Sequence, residues 1–464
     1  MHKVKINGKT CYAENGTILY NVLTKHSFSS EHPCGGKGIC KKCSVIVNGK
    51  EELSCRYEIK SDIVVELPEK EEIFSDSGIE ETGVMTEKLC LSLDIGTTTL
   101  ALALVSLDRK NTVKVISRTN PQRRFGADVI SRIEYCVKNG INELHNVLID
   151  EINSMITELD VINIKDMYVA GNTVMLHIFY GVDCSTLGVA PYKPVFLEGK
   201  REKAEKLGVI GVENIELLPS IASFAGADLV AGLNYVSIPE KNRYSMLVDL
   251  GTNAEIILFS ESEIICTSAA AGPCFEGNNI RCGMSATDGA IYAYSDGKIK
   301  TVGNVSAKGI CGTGLIDIVS EFIENGTVDE SGYMECEEVE LSDGVYICQA
   351  DIRQYQLAKS AVYSAIMTLL KTKNVSFDKI DKIYISGGFS SEINISNAVK
   401  TGLLPEEFSG KCVALKNSSL LGTVKYACEK KDLNKITEKA TYVDLSLNDD
   451  FSELFIENMM FKKR

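Results

Sequence analysis

An internal repeat constrains the fold of this chain more than any other feature. The stretch "LSLDIGTTTLALALV", which begins at residue 91, is matched by "SMLVDLGTNAEIILF", which begins at residue 245. Each copy reads as two apolar strands joined by the turn Asp-x-Gly-Thr. A second pair, "DMYVAGNT" at 166–173 and "DKIYISGGF" at 381–389, reads as a strand that runs into a glycine-containing turn. Because both pairs recur in the same order, the sequence predicts two related α/β lobes that face each other across a cleft.

The rest of the chain suggests a smaller front unit and a connection. Short strands around "KVKING", "KTCYAENG", "CSVIVNGK" and "DIVVELP" predict a β-rich unit with one helix at "TILYNVLTKH". The predicted division is a front domain at 1–67, a flexible acidic linker at 68–88 and a two-lobed α/β domain at 89–464. Within the last, the first lobe covers about 89–240 and the second about 241–464.

Helical periodicity supports the lobes. The segment "NELHNVLIDEINSMITEL" places its apolar residues at helical spacing. In "DIRQYQLAKSAVYSAIMTLLK", Asp351 with Gln354 three residues later predicts an N-cap with a capping box.

Charge and cysteine content exclude several function classes. The 464 residues carry a net charge of −14 and no basic run, which argues against nucleic acid and against anionic membrane surfaces. The N-terminus lacks a signal-peptide core, and the longest apolar stretch is interrupted by polar residues. Sixteen cysteines without a secretory signal predict a reducing compartment, and hence the cytoplasm.

Four cysteines near the start form a candidate metal cage. Cys34, Cys40, Cys43 and Cys55 follow the spacing C-x5-C-x2-C-x11-C, and glycines in "HPCGGKGICKKC" allow a tight loop. A compact triplet with a distant fourth cysteine is typical of a plant-type [2Fe–2S] cluster. Zinc is the alternative, although zinc sites usually recruit two short cysteine pairs. The sequence therefore favours a [2Fe–2S] cluster.

The two Asp-x-Gly-Thr turns predict a phosphate site. Glycine opens a tight turn whose N–H groups face the cleft, threonine hydroxyls suit phosphate oxygens, and Asp94 and Asp249 can hold Mg²⁺ through water. The alternative is two ordinary hairpins, since turns often use these residues. The predicted phosphate ligands are Gly96, Thr97 and Thr98 in the first copy and Gly251, Thr252 and Asn253 in the second.

Further turns extend this prediction to a whole nucleotide. Gly387 and Gly388 in "ISGGFS" would let the backbone pack against adenine or ribose, and Gly312 opens a helix whose N–H groups favour an anion. Asp128 and Asp228 occupy repeated helix starts. Each is either a cap or a residue that orients a hydrolytic water or a moving helix. ATP with Mg²⁺ is the predicted ligand.

The motifs together resemble a known family. The paired turns and "SGGF" are similar to the acetate and sugar kinase, Hsp70 and actin superfamily. The full series more narrowly resembles the reductive activators of corrinoid proteins, which are ATP-dependent iron–sulfur proteins of anaerobic methyltransferase systems. That series runs "CGGKGICKKC", "FGADVISRI", "GNTVMLH", "DLGTNAEI", "AAGPCFEGNNIRCGM", "GICGTGLID", "DIRQYQLAK" and "SGGF".

The resemblance implies a fold and an activity. A β-grasp-like [2Fe–2S] ferredoxin domain would precede a duplicated actin-like ATPase, with the four cysteines as cluster ligands. A low-potential donor would supply one electron that returns inactive Co(II) of a corrinoid protein to Co(I). Asp94, Asp249 and Glu276 are the catalytic candidates, and Glu276 either faces the partner's cobalt or is a buried structural carboxylate.

One departure from the family and several alternatives stay open. Better-known members carry a longer linker and a middle domain implicated in dimerisation, and the short segment 68–88 predicts that this domain is missing here. Whether the protein is a homodimer is therefore left open. The alternative functions are a small-molecule kinase, an ATP-gated electron donor to a non-corrinoid metalloenzyme, and a redox sensor.

Overall fold

The computed structural model shows two large sheets and one smaller front sheet, each with helices packed against it. It describes residues 1–26, 28, 38, 43–67, 88–161, 164–388 and 392–461. Cys34, Cys40 and all of the predicted linker except Lys88 lie outside the described residues. No helix among the described residues is both long enough and apolar enough to span a bilayer.

The front unit is a mixed five-stranded sheet with one helix. Its strand order is β2-β1-β5-β3-β4, with β1 parallel to β5. Alternating apolar residues of the strands face Leu19, Val22 and Leu23 of the helix, and together they form a core. The elements are β1 (His2–Ile6), β2 (Lys9–Ala13), α1 (Leu19–Lys25), β3 (Ser44–Val47), β4 (Lys50–Leu53) and β5 (Ile63–Glu66).

The first lobe is built on a six-stranded sheet of order β10-β11-β9-β6-β7-β8. Its strands are β6 (Leu89–Ile95), β7 (Thr99–Ser106), β8 (Asn111–Thr119), β9 (Ile164–Gly171), β10 (Lys200–Lys203) and β11 (Val212–Leu217). Its helices are α2 (Val129–Asn139), α3 (Asn142–Glu158), α4 (Thr173–Tyr180) and α5 (Ala227–Tyr235).

The second lobe is built on a six-stranded sheet of order β21-β20-β12-β13-β14-β22, with two small sheets beside it. Its strands are β12 (Tyr244–Leu250), β13 (Ala254–Phe259), β14 (Ile264–Ala269), β15 (Ala290–Ser295), β16 (Lys298–Thr301), β17 (Gly309–Ile310), β18 (Glu338–Ser342), β19 (Val345–Cys348), β20 (Ile380–Ser386), β21 (Cys412–Ala414) and β22 (Ala440–Tyr442). Its helices are α6 (Gly312–Glu324), α7 (Gln349–Lys373), α8 (Ile395–Lys400), α9 (Ser418–Glu429), α10 (Asn434–Lys439) and α11 (Asp449–Glu457).

The two large sheets repeat one topology, as the sequence repeat predicted. In each, the first three strands form antiparallel pairs, and the first strand also pairs in parallel with a later one, β9 or β20. A further parallel strand, β11 or β21, follows beyond it. The Asp-x-Gly-Thr turns therefore lie at equivalent ends of equivalent hairpins.

Helices α5 and α9 join the two halves. Leu229 and Leu233 of α5 pack with core residues of the second sheet, whereas Leu420 and Val424 of α9 pack on the first sheet. The helices touch backbone to backbone, since a Cβ on Gly422 would lie only 1.7 Å from the carbonyl oxygen of Ala231. Each half thus supplies one helix to the contact between the lobes.

The predicted start of α7 is wrong. The N-cap is Cys348, and Asp351 is the third residue of the helix. The carboxylate of Asp351 accepts hydrogen bonds from the N–H groups of Cys348 and Arg281, at 2.9 and 2.7 Å. Asp351 therefore completes a capping box from inside the helix and also fixes the segment that precedes Cys282.

Candidate functional site

A cavity of about 820 Å³ lies between the two lobes, and both Asp-x-Gly-Thr turns line it. The phosphate residues predicted from the sequence, 96–98 and 251–253, all border this cavity. The structure therefore brings together two turns that are about 150 residues apart in sequence, as expected for loops that share one ligand.

The first turn, at 96–98, is held by hydrogen bonds from several elements. The N–H of Gly96 donates to the Thr99 carbonyl at 3.0 Å, which closes the turn. Arg132 donates to the Thr97 carbonyl at 2.5 Å, and Asn172 donates to the Thr97 hydroxyl at 3.1 Å. The buried hydroxyl of Thr98 has no hydrogen-bond partner among the described residues. A buried polar atom without a partner at a cavity wall fits a phosphate oxygen.

The second turn, at 251–253, is satisfied within the protein. The N–H of Gly251 donates to the Asn253 carbonyl at 3.1 Å, and the Thr252 hydroxyl donates to the carboxylate of Glu276. Glu276 is half-buried and borders the cavity. Glu276 thus has a structural contact with the second turn, and the interpretation in which it faces the partner's cobalt stays a prediction.

The two aspartates that precede the turns contact the start of α9. Asn417 and Ser419 donate to the two carboxylate oxygens of Asp94 at 2.6 and 2.7 Å, and burial raises the pKa of Asp94. The hydroxyls of Ser386 and Ser418 lie near Asp249 and favour its charged form. Burial, assisted by the charge of Asp94, raises the pKa of Asp249 to about 6.

Two further acidic residues, Asp228 and Glu255, interact with Asp94 and Asp249. Asp228, in the first turn of α5, has its pKa raised to about 7 by burial and by repulsion from Asp94. Glu255 pairs in register with Asp249, and burial with repulsion from Asp228 raises its pKa well above the usual range. Sequence reasoning left Asp228 between a cap and a catalytic role and missed Glu255. A charged residue within the apolar strand "AEIILF" was the available signal.

The three other predicted glycines differ in their packing. Gly387, with φ of +129°, borders the cavity and also packs against the Leu250 carbonyl, which a Cβ would approach to 2.1 Å. A Cβ on Gly388 would meet nothing within 4 Å, and this residue borders the cavity. Gly312 packs against the Phe275 carbonyl, and its neighbours Cys311 and Thr313 border the cavity instead. The ligand contact predicted for Gly312 stays a prediction, since the residues on both sides of it border the cavity.

The cavity continues beyond the first turn along an apolar wall. Ala101 and Val115 of the first sheet and Leu420, Leu421 and Val424 of α9 line this part. Thr112 and Ser117 of β8 also border the cavity, so the wall is apolar only in part.

In the front unit, the β3–β4 hairpin brings Cys43 and Cys55 to the same end of the sheet. Ser44 pairs with Leu53, and the N–H of Ser54 donates to the Cys43 carbonyl at 2.9 Å. Both cysteines are buried. The described residues contain no group of three or more potential metal ligands, while Cys34 and Cys40 lie outside them. Two converging thiols fit half of the predicted cysteine cage.

The front unit also contacts the first lobe. The Tyr20 hydroxyl in α1 donates to the carbonyl of Arg124 at 2.8 Å, and burial raises the pKa of Tyr20. Arg124 ends a short 3-10 helix, Pro121–Arg124, in which Arg123 donates to Asn278 of the second lobe at 3.2 Å. One short segment therefore touches the front unit and both lobes.

Comparisons with known proteins identify two regions of one family. Residues 89–241 match "RACo middle region", and residues 243–464 match "C-terminal domain of RACo the ASKHA domain". The middle region corresponds to the first lobe. The prediction that this chain lacks the middle domain is therefore wrong.

Individual proteins are similar over most of the chain. "Corrinoid activation enzyme RamQ" from Eubacterium limosum is 27% identical over 416 residues, which cover 80% of this chain and 70% of that protein. "[Co(II) methylated amine-specific corrinoid protein] reductase" from Methanosarcina barkeri is 27% identical over 390 residues, which cover 75% and 72%.

A solved structure extends the likeness to nearly the full length. The structure of a "Reductive activator for corrinoid,iron-sulfur protein" superposes with a TM-score of 0.75 at 24% identity, and the match covers 99% of this chain and 98% of that one. It shows that the two chains share a fold. Since the two family regions together span nearly all of residues 89–464, the chain belongs to the RACo family.

Proposed function

We propose that the protein uses ATP to drive the reductive activation of a corrinoid protein, in which Co(II) of the partner's cobalamin accepts one electron and becomes Co(I). The observation that carries this proposal is a two-lobed cleft with paired phosphate turns in a chain related to a corrinoid activation enzyme and a Co(II) corrinoid protein reductase. The electron comes from an external low-potential donor, and the corrinoid protein is the substrate.

The cleft would bind Mg²⁺–ATP. The unpartnered Thr98 hydroxyl supports a phosphate contact at the first turn, and the open backbone at Gly388 supports the adenosine end. Asp94 and Asp249 approach the cavity from opposite lobes and would hold Mg²⁺ through its waters, which is how this ion usually binds. A ligand that touches both turns favours closure of the lobes.

The front domain would hold a [2Fe–2S] cluster through Cys34, Cys40, Cys43 and Cys55. The convergence of Cys43 and Cys55 at one end of the hairpin supports this ligand set. When bound, such a cluster supplies single electrons at a potential near about −400 mV. Free thiols in this number suit a reducing compartment such as the cytoplasm.

The proposed domains separate the electron carrier from the part of the chain that binds ATP. We assign 1–67 to the ferredoxin-like domain, 68–88 to the linker and 89–464 to the ATPase. For a one-electron step, each ~59 mV by which the acceptor lies below the donor lowers the equilibrium yield tenfold. Closure of the lobes, sensed at the Tyr20–Arg124 contact, would link nucleotide binding to delivery of the electron.

The proposed iron–sulfur domain argues against a small-molecule kinase. Phosphoryl transfer requires positioning and charge stabilisation but no redox centre.

The decisive experiment follows Co(I) by visible absorption under anaerobic conditions. The purified protein is mixed with a low-potential reductant and a Co(II) corrinoid protein, with and without ATP. Co(I) is expected only when ATP is present. Cys43→Ser should abolish Co(I) formation and leave the affinity for ATP unchanged, because the cysteine lies outside the cleft.

Cys336→Ser is the matched control, since Cys336 is exposed in the second lobe. It should change neither Co(I) formation nor ATP affinity. Formation of Co(I) at full rate without ATP, or by the Cys43→Ser protein, would contradict the proposal.

A further inference from the structure

The first residues of α9 contact carboxylates from both lobes. Asn417 Nδ2 donates to Asp94 Oδ2 at 2.6 Å, and Ser419 Oγ donates to Asp94 Oδ1 at 2.7 Å. Ser418, between them, accepts from Ser386 at 2.8 Å, and both of these hydroxyls lie near Asp249. Three consecutive residues thus bind or neighbour the aspartates that precede both phosphate turns.

These contacts are shielded from solvent. Ser418, Ser419 and Asp94 expose only 1%, 5% and 7% of their surface. Hydrogen bonds to a buried charged group are about twice as strong as neutral ones, and water cannot replace them when they are lost. Asp94 is therefore held in one orientation.

That orientation leaves Asp94 able to bind a second partner. A carboxylate has about four lone-pair positions, and α9 uses one on each oxygen. The residue borders the cavity, so the remaining positions are available to metal-bound waters. Asp94 can accept from α9 and from hydrated Mg²⁺ at the same time.

Any shift of the start of α9 is passed to α5. A Cβ on Gly232 would lie 3.0 Å from the Ser418 hydroxyl, and one on Gly422 would lie 1.7 Å from the Ala231 carbonyl. Asn234 of α5 also donates to the Gly422 carbonyl at 3.0 Å. Because no space separates the helices, the start of α9 cannot shift towards α5 without displacing it.

We propose that Asn417 and Ser419 are positioning residues that hold Asp94 for Mg²⁺–ATP and so link the placement of the metal to the α5–α9 contact between the lobes. This inference rests on the proposed binding of ATP in the cleft. It concerns how much Mg²⁺ adds to the affinity for ATP, which can be measured separately from the affinity for ATP without metal.

The test compares ATP binding with Mg²⁺ and with excess EDTA by isothermal titration calorimetry on the full chain. Asn417→Ser keeps an equally good N-cap but removes the amide donor. Asn417→Ser and Ser419→Ala are each expected to raise the Kd for Mg²⁺–ATP about tenfold, the usual effect of losing one hydrogen bond to a charged group. The Kd measured in EDTA should stay within about twofold, and Ser419→Thr should restore the wild-type value, because the hydroxyl is kept.

Asn448→Ser is the matched control, since Asn448 caps α11 through the N–H of Phe451 and lies outside the cleft. It should change neither Kd. Equal weakening with Mg²⁺ and EDTA, or no weakening in either, would overturn the positioning role. If Ser419→Ala does not fold by circular dichroism, Asn417→Ser decides. Failure of wild-type protein to bind ATP would instead overturn the proposed function.

Discussion

The two phosphate turns have the same sequence motif but different surroundings. The hydroxyl of Thr98 in the first turn has no partner among the described residues, whereas that of Thr252 in the second turn is bound by Glu276. Glu276 ends a short 3-10 helix, Pro273–Glu276, that follows β14, whereas the 3-10 helix that follows β8 in the first lobe, Pro121–Arg124, ends with Arg124. Duplication therefore accounts for the shape of the cleft, and residue changes within equivalent segments make the surroundings of the two turns different.

The largest expected effect concerns Asp228, which borders the cavity between the two turns. The pKa of Asp228 is raised to about 7 from a usual value of 3.8, so its folded form favours the proton. Without nucleotide, the free energy of unfolding should therefore fall as pH rises from about 4 to about 7. Asp228→Asn should flatten this dependence, as measured by urea unfolding across that range. If the free energy of unfolding of Asp228→Asn falls with pH as steeply as that of the wild type, Asp228 is not the group that causes the pH dependence.

The second expected effect compares the glycines that end β9 and β20. A Cβ at Gly387 would lie 2.1 Å from the Leu250 carbonyl, whereas one at Gly171 would lie 2.8 Å from the Ile95 carbonyl. Gly387→Ala should lower the free energy of unfolding by about 3 kcal/mol, and Gly171→Ala by less, because backbone must move further in the second lobe.

Gly388→Ala is the control for this comparison, because a Cβ there meets nothing within 4 Å. It should leave the urea midpoint unchanged. Equal destabilisation by all three substitutions would show that the two lobes do not differ at this strand end.

The third prediction tests the two threonines directly. Thr98→Val removes a hydroxyl without a partner, so it should leave the stability of the nucleotide-free protein unchanged and weaken ATP binding about tenfold. Thr252→Val leaves Glu276 without its donor and should lower the free energy of unfolding by about 1 kcal/mol. Calorimetry measures ATP binding, and urea unfolding measures stability. If both variants change ATP binding and stability to the same extent, the two turns do not differ as described.

The smallest expected effect concerns the front unit, which contacts the first lobe through Tyr20. Tyr20→Phe removes the hydrogen bond to the Arg124 carbonyl and should weaken this contact by about 1 kcal/mol. Small-angle X-ray scattering should record a larger radius of gyration. Tyr12→Phe is the control, since Tyr12 lies on the exposed face of β2. An unchanged radius for Tyr20→Phe would mean that this bond does not hold the front unit.

The lobes could be predicted from sequence because their signal is local and occurs twice. The paired strands and turns at 91–105 and 245–259 carry alternating and apolar patterns that tertiary context does not override. Helix α3 was predicted because its apolar residues recur at helical spacing.

The parts of the site that escaped prediction depend on contacts distant in sequence. Asn417 and Ser419 lie 323 and 325 positions from Asp94, and "KNSSLL" by itself indicates only a capped helix. The packing of Gly312 on the Phe275 carbonyl and the bond between Thr252 and Glu276 could not be predicted, because a glycine-rich turn looks the same whether it packs against a carbonyl or faces a ligand. Only the packing of a second element distinguishes the two cases.

The contact between Gly422 and Ala231 has a consequence for how the cleft opens. Where helices are separated by a layer of side chains, rotamer changes let them slide, tilt and separate by small amounts. Backbone contact leaves no such layer, so the helices cannot approach further and have no side chains whose rotamer changes would let them slide. Rotation about this contact is then the motion expected to open the cleft, and a pair of spin labels, one on each lobe, would record it as a change in their distance.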